Sequence, residues 1–177
     1  MRWMWIDRIV ELVPRERLVA VKNVSLAEDH LHDHFPETLL PDGTRRPAMP
    51  VMPGSLVIEG MAQTAGILVG HAEGFREKVI LAKVTRARLD RDATPGTTLR
   101  YTATLVQQSP LGAATQGVVE LFDHGRPGAG YAEIGRIDLV FSHLDRNMAG
   151  VAFPEHNFVF SESFRTLLRS SGIPCDF

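Results

Sequence analysis

Two short blocks of this 177-residue chain hold side chains suited to moving protons. One is His30-Leu31-His32-Asp33-His34-Phe35-Pro36; the other is Glu59 with Gln63 four residues on. Imidazole titrates near neutral pH and is a suitable base there. A carboxyl on an apolar helix is costly to ionise, so enclosure would favour its protonated form and make Glu59 a proton donor. Two readings of Glu59 stand side by side. It is either an enclosed acid or a helix-edge residue reaching water, since acidic side chains are almost never fully buried unless paired. Gln63 lies on the same helical face, within hydrogen-bonding reach. Three histidines at period two would share one strand face and invite a metal reading. The run is one residue short of the HxHxDH zinc pattern, and each histidine alone reads as an exposed loop residue.

Those blocks need elements to hold them. Residues 17–27 read as a strand, with Leu18, Ala20, Val24 and Leu26 on one face and Val19 and Val21 on the other. From Pro36 to Pro53, prolines 36, 41, 47, 50 and 53, with Asp42-Gly43, forbid a continuous helix or central strand. A helix follows from about Pro53 to Gly70. It is apolar nearly all round, so it must be enclosed. Everything from Lys78 to Ser142 looks like antiparallel sheet: Leu99, Tyr101, Ala103 and Leu105 alternate with Arg100, Thr102 and Thr104, and strands are expected at Gly117–Phe122 and Tyr131–Phe141. Turns fall at Pro95-Gly96, Pro110-Leu111-Gly112 and Asp123–Gly128. A curved antiparallel sheet is the only material available to enclose the helix, which makes the class α+β.

Composition closes off several functions. Lys+Arg 19 against Asp+Glu 21 leaves a net charge of −2, too balanced for a dedicated nucleic-acid binder. The one cysteine, Cys175, can form neither an internal disulfide nor a cysteine-based zinc site. Met1–Leu12 lacks the apolar run of a secretory signal. The apolar stretch Gly54–Gly70 would span about 25 Å as a helix, short of the ~30 Å membrane core, so a cytoplasmic location is expected. The GRPGAG run at 125–130 lies between strands and reads as a hairpin turn, not a dinucleotide loop.

Taken together, His34-Phe35-Pro36, Pro50-Val51-Met52-Pro53-Gly54 and Glu59-x-Met61-Ala62-Gln63 resemble the FabZ-type (3R)-hydroxyacyl-[acyl carrier protein] dehydratases. Ile6-Asp7-Arg8-Ile9-Val10-Glu11, Val21-Lys22-Asn23-Val24, Ala87-Arg88-Leu89 and Pro95-Gly96-Thr97 extend the likeness over most of residues 5–142. The resemblance implies a hotdog fold, a long central helix wrapped by curved antiparallel sheet, in a homodimer or trimer of dimers. It also implies that His34 of one protomer faces Glu59 of the other. Glu59 in place of the aspartate of FabA-type enzymes favours the FabZ branch.

In that reaction His34 would take the α-proton of a 3-hydroxyacyl thioester, and Glu59 would protonate the departing hydroxyl, oriented by Gln63. Charge on the thioester oxygen needs donors, and the unpaired N–H groups that begin the helix offer them: Gly54 first, Ser55 second. Gly54 reads equally as a plain turn residue. No metal or organic cofactor is expected. An acidic acyl carrier protein would bring the substrate, so basic residues are expected at the mouth; Arg86 and Arg88 share a strand face, with Arg45-Arg46, Lys78 and Lys83 nearby in sequence.

Two departures stand out. His34 and Gly54 are 20 positions apart, about 11 more than in the family tract, which places an inserted loop at about 37–49. It is expected to fold outward as a flap. Ser55 stands where relatives usually carry an apolar residue. The division expected is a hotdog domain over 1–142 and a C-terminal extension over 143–177 packed on it, with a short helix at Ser161–Arg169 and Phe153, Phe158, Phe160 and Phe164 to bind it down. Rival functions are a hotdog thioesterase using Glu59 to activate water, and a non-catalytic acyl-carrier-binding protein.

Overall fold

The computed structural model describes residues 3–144, 150 and 153–175. Six strands form one antiparallel sheet in the order β1 (Arg8–Val13), β2 (Arg17–Val24), β6 (Thr97–Ser109), β7 (Gly112–Asp123), β8 (Tyr131–His143), β5 (Val79–Leu89). Between β2 and β5 the chain forms a short helix α1 (Asp29–Asp33), a small hairpin of β3 (Thr38–Leu39) and β4 (Arg45–Arg46), and the long helix α2 (Gly54–Ala72). A last helix, α3 (Glu162–Ser170), follows the sheet.

The alternation in β6 sets the inner face: Leu99, Tyr101 and Ala103 are fully buried, with Arg100 and Thr102 half-buried between them. Register carries the pattern across the sheet, where Ala20 pairs with Tyr101, Tyr101 with Val119 and Leu99 with Leu121. Helix α2 lies on that face. Its Met61, Ala65 and Leu68 are fully buried, so the expected enclosure is met. Close approach depends on two glycines. A Cβ at Gly117 would lie 2.5 Å from Met61 Sδ, and one at Gly60 would lie 2.6 Å from the Tyr101 hydroxyl. Arg15 closes the far end of α2 by donating from Nη2 (2.8 Å) and Nε (3.2 Å) to the Ala72 carbonyl. This helix-on-sheet arrangement is the α+β hotdog fold.

Three local expectations change. The histidine run, expected as exposed loop, is a short helix, so its histidines do not share a strand face: the His34 N–H donates to the His30 carbonyl at 3.1 Å, and only Leu31 is buried. Strand β7 begins five residues earlier than its apolar pattern, at Gly112. β2 ends at Val24, leaving Leu26 exposed. The GRPGAG run forms the β7–β8 connection, with one 3-10 turn over Pro127–Ala129. No helix of the described residues is long and apolar enough to cross a membrane.

Candidate active site

Helix α2 places Glu59 and Gln63 one turn apart on a single face. Gln63 is 5% exposed and fixed by three bonds. Its Oε1 accepts the Trp5 N–H at 2.9 Å, and its Nε2 donates to the Trp3 carbonyl at 3.1 Å and to Glu59 Oε1 at 3.1 Å. An N–H can only donate and a carbonyl only accept, so the amide has one orientation. Glu59 is half-buried, between the two positions its sequence allowed. One carboxyl oxygen, Oε1, is engaged by Gln63, which leaves Oε2 unengaged. The role of the Trp3-x-Trp5 backbone was not foreseen, because main-chain groups leave no mark in the residue types.

Gly54 opens α2 and Ser55 follows; both are exposed. The first helical acceptor, the Pro53 carbonyl, takes the N–H groups of Leu56 (2.9 Å) and Val57 (3.2 Å). The Gly54 and Ser55 N–H groups thus precede the intrahelical ladder and point out of the helix end. Gly54 lies five residues before Glu59, about 7.5 Å along the axis. The segment entering α2 is anchored to the sheet side by the Met52 N–H, which donates to the Ala93 carbonyl at 2.9 Å.

His34 stands at the C-terminal end of α1, exposed, with its ring 4.2 Å from that of Phe35. The insertion is pinched off directly behind it: the Met49 N–H donates to the Phe35 carbonyl at 3.0 Å. Beyond the pinch the β3–β4 hairpin turns at Asp42-Gly43, where Gly43 has φ +81° and Asp42 Oδ1 accepts the Thr44 N–H at 2.8 Å. That bond holds the Asp42 carboxyl below its usual range. His34, Thr38, Arg46 and Met49 help line a 350 Å³ cavity under the hairpin. Residues 37–49 are exposed apart from a half-buried Leu40. Within one chain His34 and Glu59 line different cavities.

Glu59 and Gln63 stand at one end of a 230 Å³ groove along α2, whose other walls are apolar. Arg86 and Arg88 are exposed on edge strand β5, each beside a carboxylate: Asp138 at 3.4 Å and Asp90 at 2.8 Å. Lys78, grouped with the basic surface in the sequence, is 5% exposed and does not belong to it.

A sheet-wrapped helix with an acid on its exposed face and open N–H groups at its start defines a hotdog protein with a candidate thioester site. A family model described as a FabA-like domain matches residues 2–124. Curated relatives are named 3-hydroxyacyl-[acyl-carrier-protein] dehydratase FabZ. That of Solibacter usitatus is 34% identical over 118 residues, 66% of this chain and 65% of the relative. That of Acidiphilium cryptum is 42% identical over 101 residues, 55% and 54% of the two chains. That of Streptococcus agalactiae is 33% identical over 117 residues, 66% and 75%. The chain belongs to the FabA-like family, and within it to the FabZ-type dehydratases. The match spans less than two thirds of the first two relatives named. Among solved structures, the dehydratase heterocomplex ApeI:P of Xenorhabdus doucetiae superposes with a TM-score of 0.56 at 18% identity, over 80% of this chain and 83% of that one. An acyl-CoA hydrolase of Agrobacterium tumefaciens gives 0.53 at 14% identity, over 77% and 46%. At such identities the likeness is one of fold.

Proposed function

We propose that this chain is a (3R)-hydroxyacyl-[acyl carrier protein] dehydratase, converting 3-hydroxyacyl thioesters to trans-2-enoyl thioesters. The observation that carries the reading is Glu59, held by Gln63 at the end of an apolar groove and about 7.5 Å along α2 from free N–H groups. His34 Nε2 or Nδ1 takes the α-proton, and the freed electron pair forms the Cα–Cβ double bond. The Cβ–O bond breaks as Glu59 Oε2 delivers its proton, so water leaves. Negative charge on the thioester oxygen is met by the Gly54 and Ser55 N–H groups and the positive end of the α2 dipole. The returning proton passes from the imidazolium to the carboxylate through solvent.

The complete site takes His34 from one protomer and Glu59 from its partner, a reading supported by the two residues of one chain lining separate cavities. Edge strand β5 supports the assembly: Leu81 and Val84 are 39% and 40% exposed on an unpaired sheet edge, a surface that invites pairing. The assembly is a homodimer, alone or as a trimer of dimers. Residues 1–142 form the catalytic domain, and 143–177 are an extension packed on it. The substrate arrives on an acidic carrier protein in the cytoplasm, with Arg86 and Arg88 near its approach.

The test is turnover of a 3-hydroxyacyl carrier thioester, read by absorbance of the conjugated product. The wild type turns over; His34→Ala and Glu59→Gln each lose about 10²–10⁴ in rate with unchanged circular dichroism. Release of free acid would make the protein a thioesterase, and binding without turnover a carrier-binding protein. Either result overturns the proposal.

A further inference from the structure

The groove that starts at Glu59 is completed by residues outside the segment matched to the family. Along α2 it follows Glu59, Ala62, Gly66 and Ile67, one helical face about 12 Å long. Beyond Ile67 the tail takes over. A Cβ at Gly70 would lie 2.4 Å from Phe160 Cζ, so the Phe160 ring covers α2 just past the groove's last helical residue. The Phe164 ring lies 5.8 Å from Phe160, and both line the groove with Val159. The family match ends at residue 124.

That wall is firmly held. Asn157 Nδ2 donates to the Phe75 carbonyl at 2.8 Å and the Glu77 carbonyl at 3.1 Å. Phe160 is buried edge-on against Phe75, their centroids 5.0 Å apart. Leu167 and Leu168 of α3 are in the core, and Ser171 Oγ accepts the Ile9 N–H at 3.1 Å. Phe164 is only half-buried: it packs against the core and also lines the groove.

We infer that the C-terminal extension sets the acyl chain length this protein accepts, with Phe164 as the stop at the end of the groove distal to Glu59. The inference rests on the dehydratase reading for its ligand, since an acyl chain whose C3 lies at Glu59 meets the apolar groove that Glu59 itself lines. A fixed aromatic stop shortens the accepted chain because methylenes that reach it have nowhere to go, and a single methylene in a pocket changes selectivity by about 10–200-fold.

The experiment compares 3-hydroxybutyryl, 3-hydroxyoctanoyl and 3-hydroxydodecanoyl thioesters with wild type, Phe164→Ala and Phe164→Trp. Phe164→Ala raises the dodecanoyl-to-butyryl ratio of kcat/KM at least about tenfold, and Phe164→Trp lowers it. A merely structural role would move both variants the same way. Phe164→Leu serves where Phe164→Ala fails to fold. Binding of the corresponding saturated acyl-pantetheines, which cannot be dehydrated, is measured in parallel. If wild type shows no turnover but Phe164 variants shift the length order in binding, the dehydratase reading falls and the groove assignment holds. If turnover is normal and neither variant moves the length order, the groove assignment alone falls. Absence of both turnover and binding overturns both.

Discussion

The Gln63 amide donates to Glu59 Oε1 at 3.1 Å while being itself locked by the backbone of Trp3 and Trp5. The acid on the groove is thereby aimed by a residue that cannot rotate. A carboxyl on a free rotor would spend much of its time turned to solvent; here one oxygen is pinned and the other is presented. The N-terminal segment thus reaches Glu59 through Gln63.

Gln63→Leu tests that relay. It strands the Trp5 N–H and the Trp3 carbonyl, at a cost of about 1–3 kcal/mol in stability for a buried group left unpaired. It also frees the Glu59 carboxyl, so kcat falls while KM for the thioester stays near wild type. The loss is smaller than the ~10²–10⁴ expected on removing the acid itself. Gln63→Glu, which keeps an acceptor for Trp5 but removes the donors, separates the two effects in a thermal melt beside the rate measurement.

A site shared between two protomers, as proposed, makes its own prediction. His34→Ala and Glu59→Gln homodimers are each inactive, but a mixed dimer carries one site with both native residues and one with neither. Mixing the two after partial denaturation and refolding restores about a quarter of wild-type turnover, the statistical share when half the dimers are mixed and half their sites intact. Restoration absent at full exchange, checked by native mass spectrometry, would place both residues in one protomer's site.

How much of this was legible in the residues follows from the length of each element. α2 and the strands β6 and β8 are long, and their periods of 3.6 and 2 accumulate enough positions to be read. α1 has five residues, so His30, His32 and His34 match a strand face as well as a helix; the bond from His34 to the His30 carbonyl decides it. β1 went unassigned because a bulge between Ile9 and Glu11 breaks its alternation. Glu59 and Gln63 were legible as a pair, since four-residue spacing is a helical contact. The groove was not: it joins α2 to Phe160 and Phe164, about 100 residues on, and no local pattern records so distant a contact.

Acid should loosen the fold before it touches the carboxylates. Burial holds the His30 and His71 rings below the ordinary histidine value of 6.5, desolvation being the largest cause in both. Glu28 and Asp29 pull His30 back upward, while Lys22 and His34 push it further down. Below pH 6.5 the unfolded chain therefore binds protons that the native state refuses, and stability falls as pH drops from there toward the native values. Above 6.5 this contribution is complete. Thermal melts between about pH 7.5 and 5 show a declining Tm, and His71→Leu flattens the decline. An unchanged slope in His71→Leu with His30→Gln would assign the pH dependence to other groups.

The seat of the tail on α2 is testable with one added methyl group. Glycine within a helix gives up about 1 kcal/mol to alanine, so on propensity alone both Gly66→Ala and Gly70→Ala stabilise. At Gly66 the new Cβ meets Phe141 Cε1 at 3.6 Å, an ordinary contact, and the gain survives. At Gly70 it lies 2.4 Å from Phe160 Cζ and 3.0 Å from Phe75 Cδ1. Phe160 is 3% exposed and packed edge-on against Phe75, so it has little room to retreat. Overpacking of that kind costs about 1–3 kcal/mol and outweighs the propensity gain. Gly66→Ala raises Tm and Gly70→Ala lowers it, each by roughly 2–4 °C per kcal/mol for a chain of this size. If Gly70→Ala were instead the more stable of the two, Phe160 would not be seated against the helix, and the groove would lack its far wall.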